Sequence, residues 1–478
     1  GYTLASQIVD EQLYAYPTLM HVFSAGNQNG IGCGDNDYGA GNQWGNITGG
    51  HKQGKNSIAA ANVLADATLA NSSSRGPAYD GRIKPDISAN GNGQESTAPF
   101  NDYQVFSGTS GAAPGIAGCL AQLTHAFKSI HNGQEPASAL LKTLILNSAN
   151  DLGNPGPDFK FGWGHVNSGS ALRYIEEARW SENSVDNGAT ATQTLEIPAG
   201  VRQAKVMLYW PEAPAFEMAA KALINDLDLT LTASDGTVYQ PWKLDPTPDP
   251  VLLNTPAGKG RDSLNNVEQV AIDNPTAGSY TITVNGTEVP FGPQSFFLAW
   301  EFLADSITLT YPNGGEGFVP AETERIHWDA YGTVGNFVLR YSTDDGANWQ
   351  LITTVNSTAR MYDWNVPNAT SGKVRIQIQR ENQTDTNDAA FSIAPVPQNI
   401  EFTKVCPDSM RICWTDVHDT LSYEVYLLGN KYMEVVGSSE TNSALFPIQD
   451  AQLEKWVSVR SKTDAGLAGR RAIAVQWP

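Results

Sequence analysis

Hydrophobic spacing changes character near residue 180. Before that point, apolar positions recur at three- and four-residue intervals in four stretches: Ile8 to Leu19, the set Ile116, Cys119, Leu120, Leu123 and Phe127, residues 136–149, and residues 168–178. That period lines one face of a helix, and each stretch is expected to form one. Met20 to Ala25 and Ser57 to Val63 are instead short apolar runs without alternation, as in strands covered on both faces of a parallel sheet. Residues 27–57 are rich in Gly and Asn and read as a long loop. Helices and strands in alternation argue a parallel α/β sheet with helices on its faces.

Beyond Trp180 the helical period disappears. Short alternating runs bounded by Gly, Pro, Asn and Asp continue to the C-terminus, which is the pattern of β-sandwiches. Boundaries are expected near 180, near 304 and at Pro395-Val396-Pro397, giving segments 1–180, 181–304, 305–395 and 396–478. In the third, Phe337 to Ser342 and Trp349 to Ile352 flank Asp345-Gly346, a hairpin signal.

A chain of 478 residues is too long for one core, which fits several domains. Thirty Lys and Arg against 50 Asp and Glu give a net charge of −20, which argues against nucleic acid or an anionic membrane as partner and permits calcium. No run of about 18 apolar residues is present, so no membrane span is expected, and Gly1-Tyr2-Thr3-Leu4 does not resemble a signal peptide. The four cysteines, Cys33, Cys119, Cys406 and Cys413, match no metal-ligand spacing. Cys406 and Cys413 are candidates to join neighbouring strands; Cys119, on an apolar helix face, is expected as a buried thiol.

Candidate chemistry concentrates at Phe106 to Pro114, where a loop becomes a helix. Gly108 permits a sharp turn, Thr109 or Ser110 can cap the helix, and Pro114 is expected in its first turn. A serine there has oriented N–H groups and the positive end of a helix dipole beside it, which suits a developing oxyanion; a plain N-cap gives the same local pattern. Four ordered blocks supply the context: Ser24-Ala25-Gly26-Asn27, Ser73-Ser74-Arg75-Gly76-Pro77, Asp80-Gly81-Arg82-Ile83-Lys84-Pro85-Asp86 and Gly108-Thr109-Ser110. Together with Phe161-Gly162-Trp163-Gly164 they resemble the subtilisin-like serine proteases, over roughly residues 8 to 178.

The resemblance implies a partial subtilisin-like α/β parallel-sheet domain followed by three β-sandwich domains. It implies Ser110 as nucleophile, Asn27 as a donor to the oxyanion, and Ser24, Ala25 and Gly26, with Thr109, in substrate binding. Residues 181–304, with Asn225-Asp226-Leu227-Asp228 and Asp262 to Glu268, look like the jelly-roll domain attached to secreted subtilases. There Asn225, Asp226, Asp228 and Asp262 either ligate calcium or close strand ends by hydrogen bonding, the second being favoured because no EF-hand order is present. Residues 305–395 look Ig-like, and 396–478 resemble a fibronectin type III module.

A nucleophilic serine needs a base and an orienting carboxylate, which in this family precede the asparagine. Asp10 and His21 are the only Asp and His before Asn27, and neither sits in the family's Asp-Thr-Gly or His-Gly-Thr setting. His51, His125 and His165 read as structural. The expectation is therefore a secreted peptide-bond hydrolase whose Asp and His lie upstream of Gly1, so that these residues alone are inactive as a protease. No cofactor is required for such chemistry. The rival reading is a pseudoenzyme or adhesion protein working through its β-modules. Two positions depart from the family: Gly111 stands where Met is usual, and Ala89-Asn90-Gly91 where Ala-Pro-Gly is usual.

Overall fold

Thr3 and Ser6 form a capping box that starts helix α1 (Leu4–Ala15), and Pro17 stops it early, because the residue before a proline is pushed out of the helical region. The helix thus lies about one turn N-terminal to the stretch its periodicity suggests. This computed structural model describes the chain except residues 30–37, 42, 48, 101, 333–334, 406–408, 418–419, 421, 448–455 and 477–478. It divides into two units, Gly1–Ala304 and Asp305–Pro478.

In the first unit, β1 (Val22–Ser24), β2 (Ile58–Val63) and β3 (Ile87–Asn90) form a parallel sheet in that order, with Val22 opposite Ile58 and Ala60 opposite Ile87. β2 is buried throughout; β1, expected to be buried, is half-buried because it is the sheet's edge. A hairpin follows, β4 (Gln94–Ala98) and β5 (Asp102–Phe106), which among the described residues pair only with each other. It leads into α2 (Thr109–Ile130), then α3 (Ser138–Asn147) and α4 (Ser168–Glu176). Buried Ile116, Leu120, Leu123 and Phe127 pack α2 on the sheet. Cys119 is a free, half-buried thiol at the margin of that core.

The strands after residue 180 are β6 (Trp180–Val185), β7 (Thr190–Ile197), β8 (Gln203–Tyr209), β9 (Asp226–Ala233), β10 (Val238–Tyr239), β11 (Trp242–Lys243), β12 (Gly258–Lys259), β13 (Val267–Asp273), β14 (Gly278–Glu288) and β15 (Gln294–Leu303). They build two antiparallel sheets, ordered β10-β9-β14-β7 and β13-β8-β15-β6. Val206 and Leu208 of β8 enter the core between these sheets, whereas Met207 and Tyr209 enter the core of the α/β part together with Leu140 and Leu144 of α3. Segments 1–180 and 181–304, expected as separate domains, therefore both contribute to the core of the α/β part, while the two sheets keep a second core between them.

The second unit holds two pairs of sheets. Strands within 306–393 surround a core of Trp328, Phe337, Trp364, Ile376 and Phe391, and those within 401–476 a smaller one of Ile412, Trp414, Tyr423 and Val459. Arg470 binds Glu322 and Glu324, tying the second pair to the first. The expected hairpin pairs Phe337–Ser342 with Gln350–Val355. Cys413 is a free thiol opposite Glu401 on the neighbouring strand, not opposite another cysteine; Cys406, like Cys33, lies outside the described residues.

Candidate active site

Gly108 is the N-cap of α2 and has φ 147°, a left-handed value that glycine tolerates without strain. It offers no side chain, so neither Thr109 nor Ser110 caps the helix. The cap arrives from 82 residues away: Asn27 Oδ1 accepts from the Thr109 N–H at 2.9 Å and from Thr109 Oγ1 at 3.0 Å. Because Oδ1 holds two donors, the amide is fixed and Nδ2 is left with no partner among the described residues. Gly108 brings the helix start close, since a Cβ there would lie 3.1 Å from that Nδ2.

Ser110 is exposed in the first turn of α2. Its N–H belongs to the group that a helix start leaves unpaired, and no protein acceptor takes it among the described residues. An unengaged Ser110 N–H and an unengaged Asn27 Nδ2 thus flank an exposed hydroxyl. Such donors stabilise negative charge on an oxygen held between them. Pro114 falls in the second turn, because α2 begins at Thr109, and it withdraws the N–H that the Ser110 carbonyl would otherwise receive.

The segment before Asn27 is equally held. Ala25 is fully buried and donates to Ala60 O at 2.9 Å; Ser24 ends β1. The Gly26 N–H donates to Thr109 Oγ1 at 3.2 Å, and its carbonyl accepts from the Ser74 N–H at 2.8 Å. Thr109 is fully buried, so it positions Gly26 and Asn27 from behind. Ser74 Oγ accepts from the Gln28 N–H at 3.1 Å, and a Cβ on Gly26 would strike that oxygen at 2.7 Å. Ser74 was legible only as part of a block; its role as a brace needed the fold.

Among the described residues Ser110 has no side-chain hydrogen bond to a His, and the candidates are otherwise placed. Asp10 is buried and spends both oxygens on Tyr2, Lys55 N and Asn56 N, at 2.8, 2.9 and 2.8 Å. His21 meets Gln12 at 3.1 Å, His51 packs edge-on against Phe23, and His165 lies in a main-chain bridge to Ser88 and Asn150. His125 lies far along α2, its carbonyl accepting from Ser129.

Asn225, Asp226, Asp228 and Asp262 each bind protein groups, although Asp226 Oδ1 and the neighbouring Glu268 Oε1 are buried without a partner among the described residues. Asp228 and Asp226 are gripped by Arg261 at 2.8 and 2.6 Å, Asp262 accepts from Leu264 N and Asn265, and Asn225 binds Phe291 O and Gln294. These bonds close strand ends; no cluster of three or more His, Cys, Asp or Glu suited to a metal occurs among the described residues. Nor is any described helix long and apolar enough to cross a membrane.

Residues 5–164 match the model of the Subtilase family. The chain is 27% identical over 309 residues to the serine protease/ABC transporter B family protein tagB of Dictyostelium discoideum, covering 47% of this chain and 16% of that protein. It is 39% identical over 88 residues to alkaline elastase YaB of Bacillus sp. (strain YaB), 18% of this chain and 21% of that protein. A solved structure of the self-cleaved protease domain of PatA aligns with a TM-score of 0.28 at 19% identity, covering 35% of this chain and 53% of that one. The chain thus spans about a fifth or less of the length of these curated relatives. The family match supports a serine protease.

Proposed function

We propose that residues 5–164 are the nucleophile-bearing part of a secreted subtilisin-like serine endopeptidase, and that the base and its carboxylate come from a segment preceding Gly1. The observation that carries this reading is the pair of unengaged donors, Ser110 N–H and Asn27 Nδ2, beside an exposed serine hydroxyl. Ser110 Oγ attacks the scissile carbonyl as its proton passes to the base, and the two donors receive the oxyanion that forms. The tetrahedral adduct collapses, the C–N bond breaks, and the leaving amine takes the proton from the base. Water then enters by the same route and releases the acyl group as a carboxylic acid. Ser24 to Gly26 form one wall of the primary specificity pocket.

The edge of the parallel sheet supports an upstream segment. Among the described residues β1 pairs on one side only, and Val22 and Phe23 remain half-buried, whereas parallel strands are normally covered on both faces. A further strand seated on that edge would bring a base toward Ser110.

A fluorophosphonate probe tests the reading, because it labels an activated serine. The 478 residues alone are expected to stay unlabelled, and to acquire an adduct on Ser110, located by peptide mass spectrometry, when the natural upstream segment is present. An unlabelled Ser110 in the complete protein would favour the pseudoenzyme or adhesion reading.

A further inference from the structure

Lys52 is a half-buried lysine placed where the proposed pocket wall ends in a residue without a side chain, Gly26. It belongs to a 3-10 turn, Gly50–Gln53, which is anchored at both ends: Ser6 Oγ donates to Gly50 O at 2.5 Å and Gln53 Nε2 to Ile47 O at 2.6 Å. From that base its side chain reaches Gly26. A Cβ on Gly26 would lie 3.2 Å from Lys52 Nζ, and one on Gly49 would lie 4.0 Å from it. Both residues are glycines with positive φ, 123° and 93°, so the backbone leaves open the space the ammonium occupies.

Among the described residues the ammonium has no carboxylate partner. Lys55, Lys84, Lys128, Lys142 and Lys205 each lie within 3.3 Å of an Asp or Glu oxygen, and Lys160 and Lys259, which have no such partner, lie over the rings of Trp44 and Trp242; Lys52 has no ion pair, side-chain hydrogen bond or ring contact among the described residues. This is unexpected in a chain with 50 acidic and 30 basic residues. The other titratable group close by is His51, whose pKa is lowered by burial and then by the Lys52 charge. Burial lowers the Lys52 pKa as well. An ammonium taken partly out of water without a counter-ion is costly, and proteins keep such groups where a ligand completes the pair.

We propose that Lys52 is a specificity-determining residue that receives the carboxylate of a glutamate or aspartate side chain, presented by the substrate residue whose carbonyl Ser110 attacks. The inference rests on reading Ser110 as nucleophile and Ser24 to Gly26 as pocket wall. An acidic side chain entering along Gly26 meets a cation there, and a basic one meets a group that repels it.

Binding to the Ser110→Ala chain tests this without turnover. Hexapeptides identical but for a C-terminal Glu, Gln or Leu are titrated by calorimetry, the Glu and Gln forms differing in one charge and hardly in shape. The Glu peptide is expected to bind about fivefold more tightly than the Gln peptide, the effect of one partly shielded ion pair. Lys52→Met is expected to abolish the preference, Lys52→Arg to keep it, and Lys128→Met, on the exposed end of α2, to leave it unchanged. Equal affinity for Glu and Gln peptides in the parent chain overturns the proposal with no folding question attached, as does a preference that survives Lys52→Met. The outcomes separate from those of the probe. A complete protein that labels on Ser110 yet ignores the Glu charge refutes Lys52 alone, and a chain that prefers Glu but never labels refutes the nucleophile alone.

Discussion

A Cβ placed on Gly111 would lie 2.9 Å from the Gly91 carbonyl oxygen, and one on Gly91 would lie 2.4 Å from both Ala112 N and Gly108 O. The end of β3 and the start of α2 therefore meet backbone to backbone, joined by the Gly108 N–H to Gly91 O bond at 2.9 Å and held by Asn62 Oδ1, which accepts from Gly91 N at 2.8 Å. The absence of the family's methionine at 111 is thus a packing requirement of this helix start. Backbone cannot yield as a side-chain tip can. Gly111→Ala is expected to destabilise the first unit by about 1–3 kcal/mol, read as a lowered melting temperature, and to disturb Ser110 one residue away. Sequence alone marked Ser110 and Asn27, because their motifs carry chemistry. It gave no sign that Thr109 faces inward or that Lys52 reaches Gly26, because both depend on segments far apart in the chain.

The block Asp80 to Asp86 acquires its meaning at the scale of the element. Residues 53–57 run through a buried ionic ladder built largely from it. Arg82 binds Asp80 at 2.8 Å and Gln53 O at 2.6 Å; Lys84 binds Asp86 at 2.5 Å; Lys142 of α3 lies 3.3 Å from Asp86 and donates to Lys55 O and Ser57 O. Asp86 also accepts from the Ala59 N–H of β2 at 2.7 Å, so one carboxylate ties the sheet to α3. Removing one partner of such a set strands the others without water, and Asp86→Asn is expected to cost about 3–5 kcal/mol in a denaturant or thermal melt. Its two lysines and its hydrogen bonds outweigh burial and hold the Asp86 carboxyl below the ordinary carboxylate range. The stability it contributes is therefore present above about pH 4, the unfolded value, and is lost as pH falls through the lower folded one. The gap between parent and Asp86→Asn melts should narrow below about pH 4; a gap constant down to pH 2 would contradict this assignment. Asp80-Gly81-Arg82-Ile83-Lys84-Pro85-Asp86 was legible as a family-like block, but its charges gave no local sign of burial. Only the fold buries it.

For the whole molecule, the change of pattern near 180 marks a change of secondary structure and not a seam. β8 is the reason: Ala204 to Trp210 is a nearly unbroken apolar run, since the strand is covered by its partner sheet on one face and by α3 on the other. Such continuity is the signature of burial on both sides, and it is the local sign that a sandwich of this kind leans on something else. A chain ended at residue 180 is accordingly expected to lack a cooperative thermal transition, because Met207, Tyr209, Phe297 and Glu212 leave with the missing part. One ended at Ala304 should retain it. A folded 1–180 fragment, seen by near-ultraviolet dichroism, would refute the shared core. The ladder adds a further meaning to this dependence. Its buried cations Lys55, Arg82, Lys84 and Lys142 equal in number the carboxylates Asp10, Asp80, Asp86 and Glu212, and Glu212, 2.6 Å from Lys55, is the one supplied from beyond residue 180. Until that last carboxylate arrives the sum is one negative charge short of neutrality, so the ladder works as a checksum on assembly, which only a completely and correctly threaded chain can satisfy.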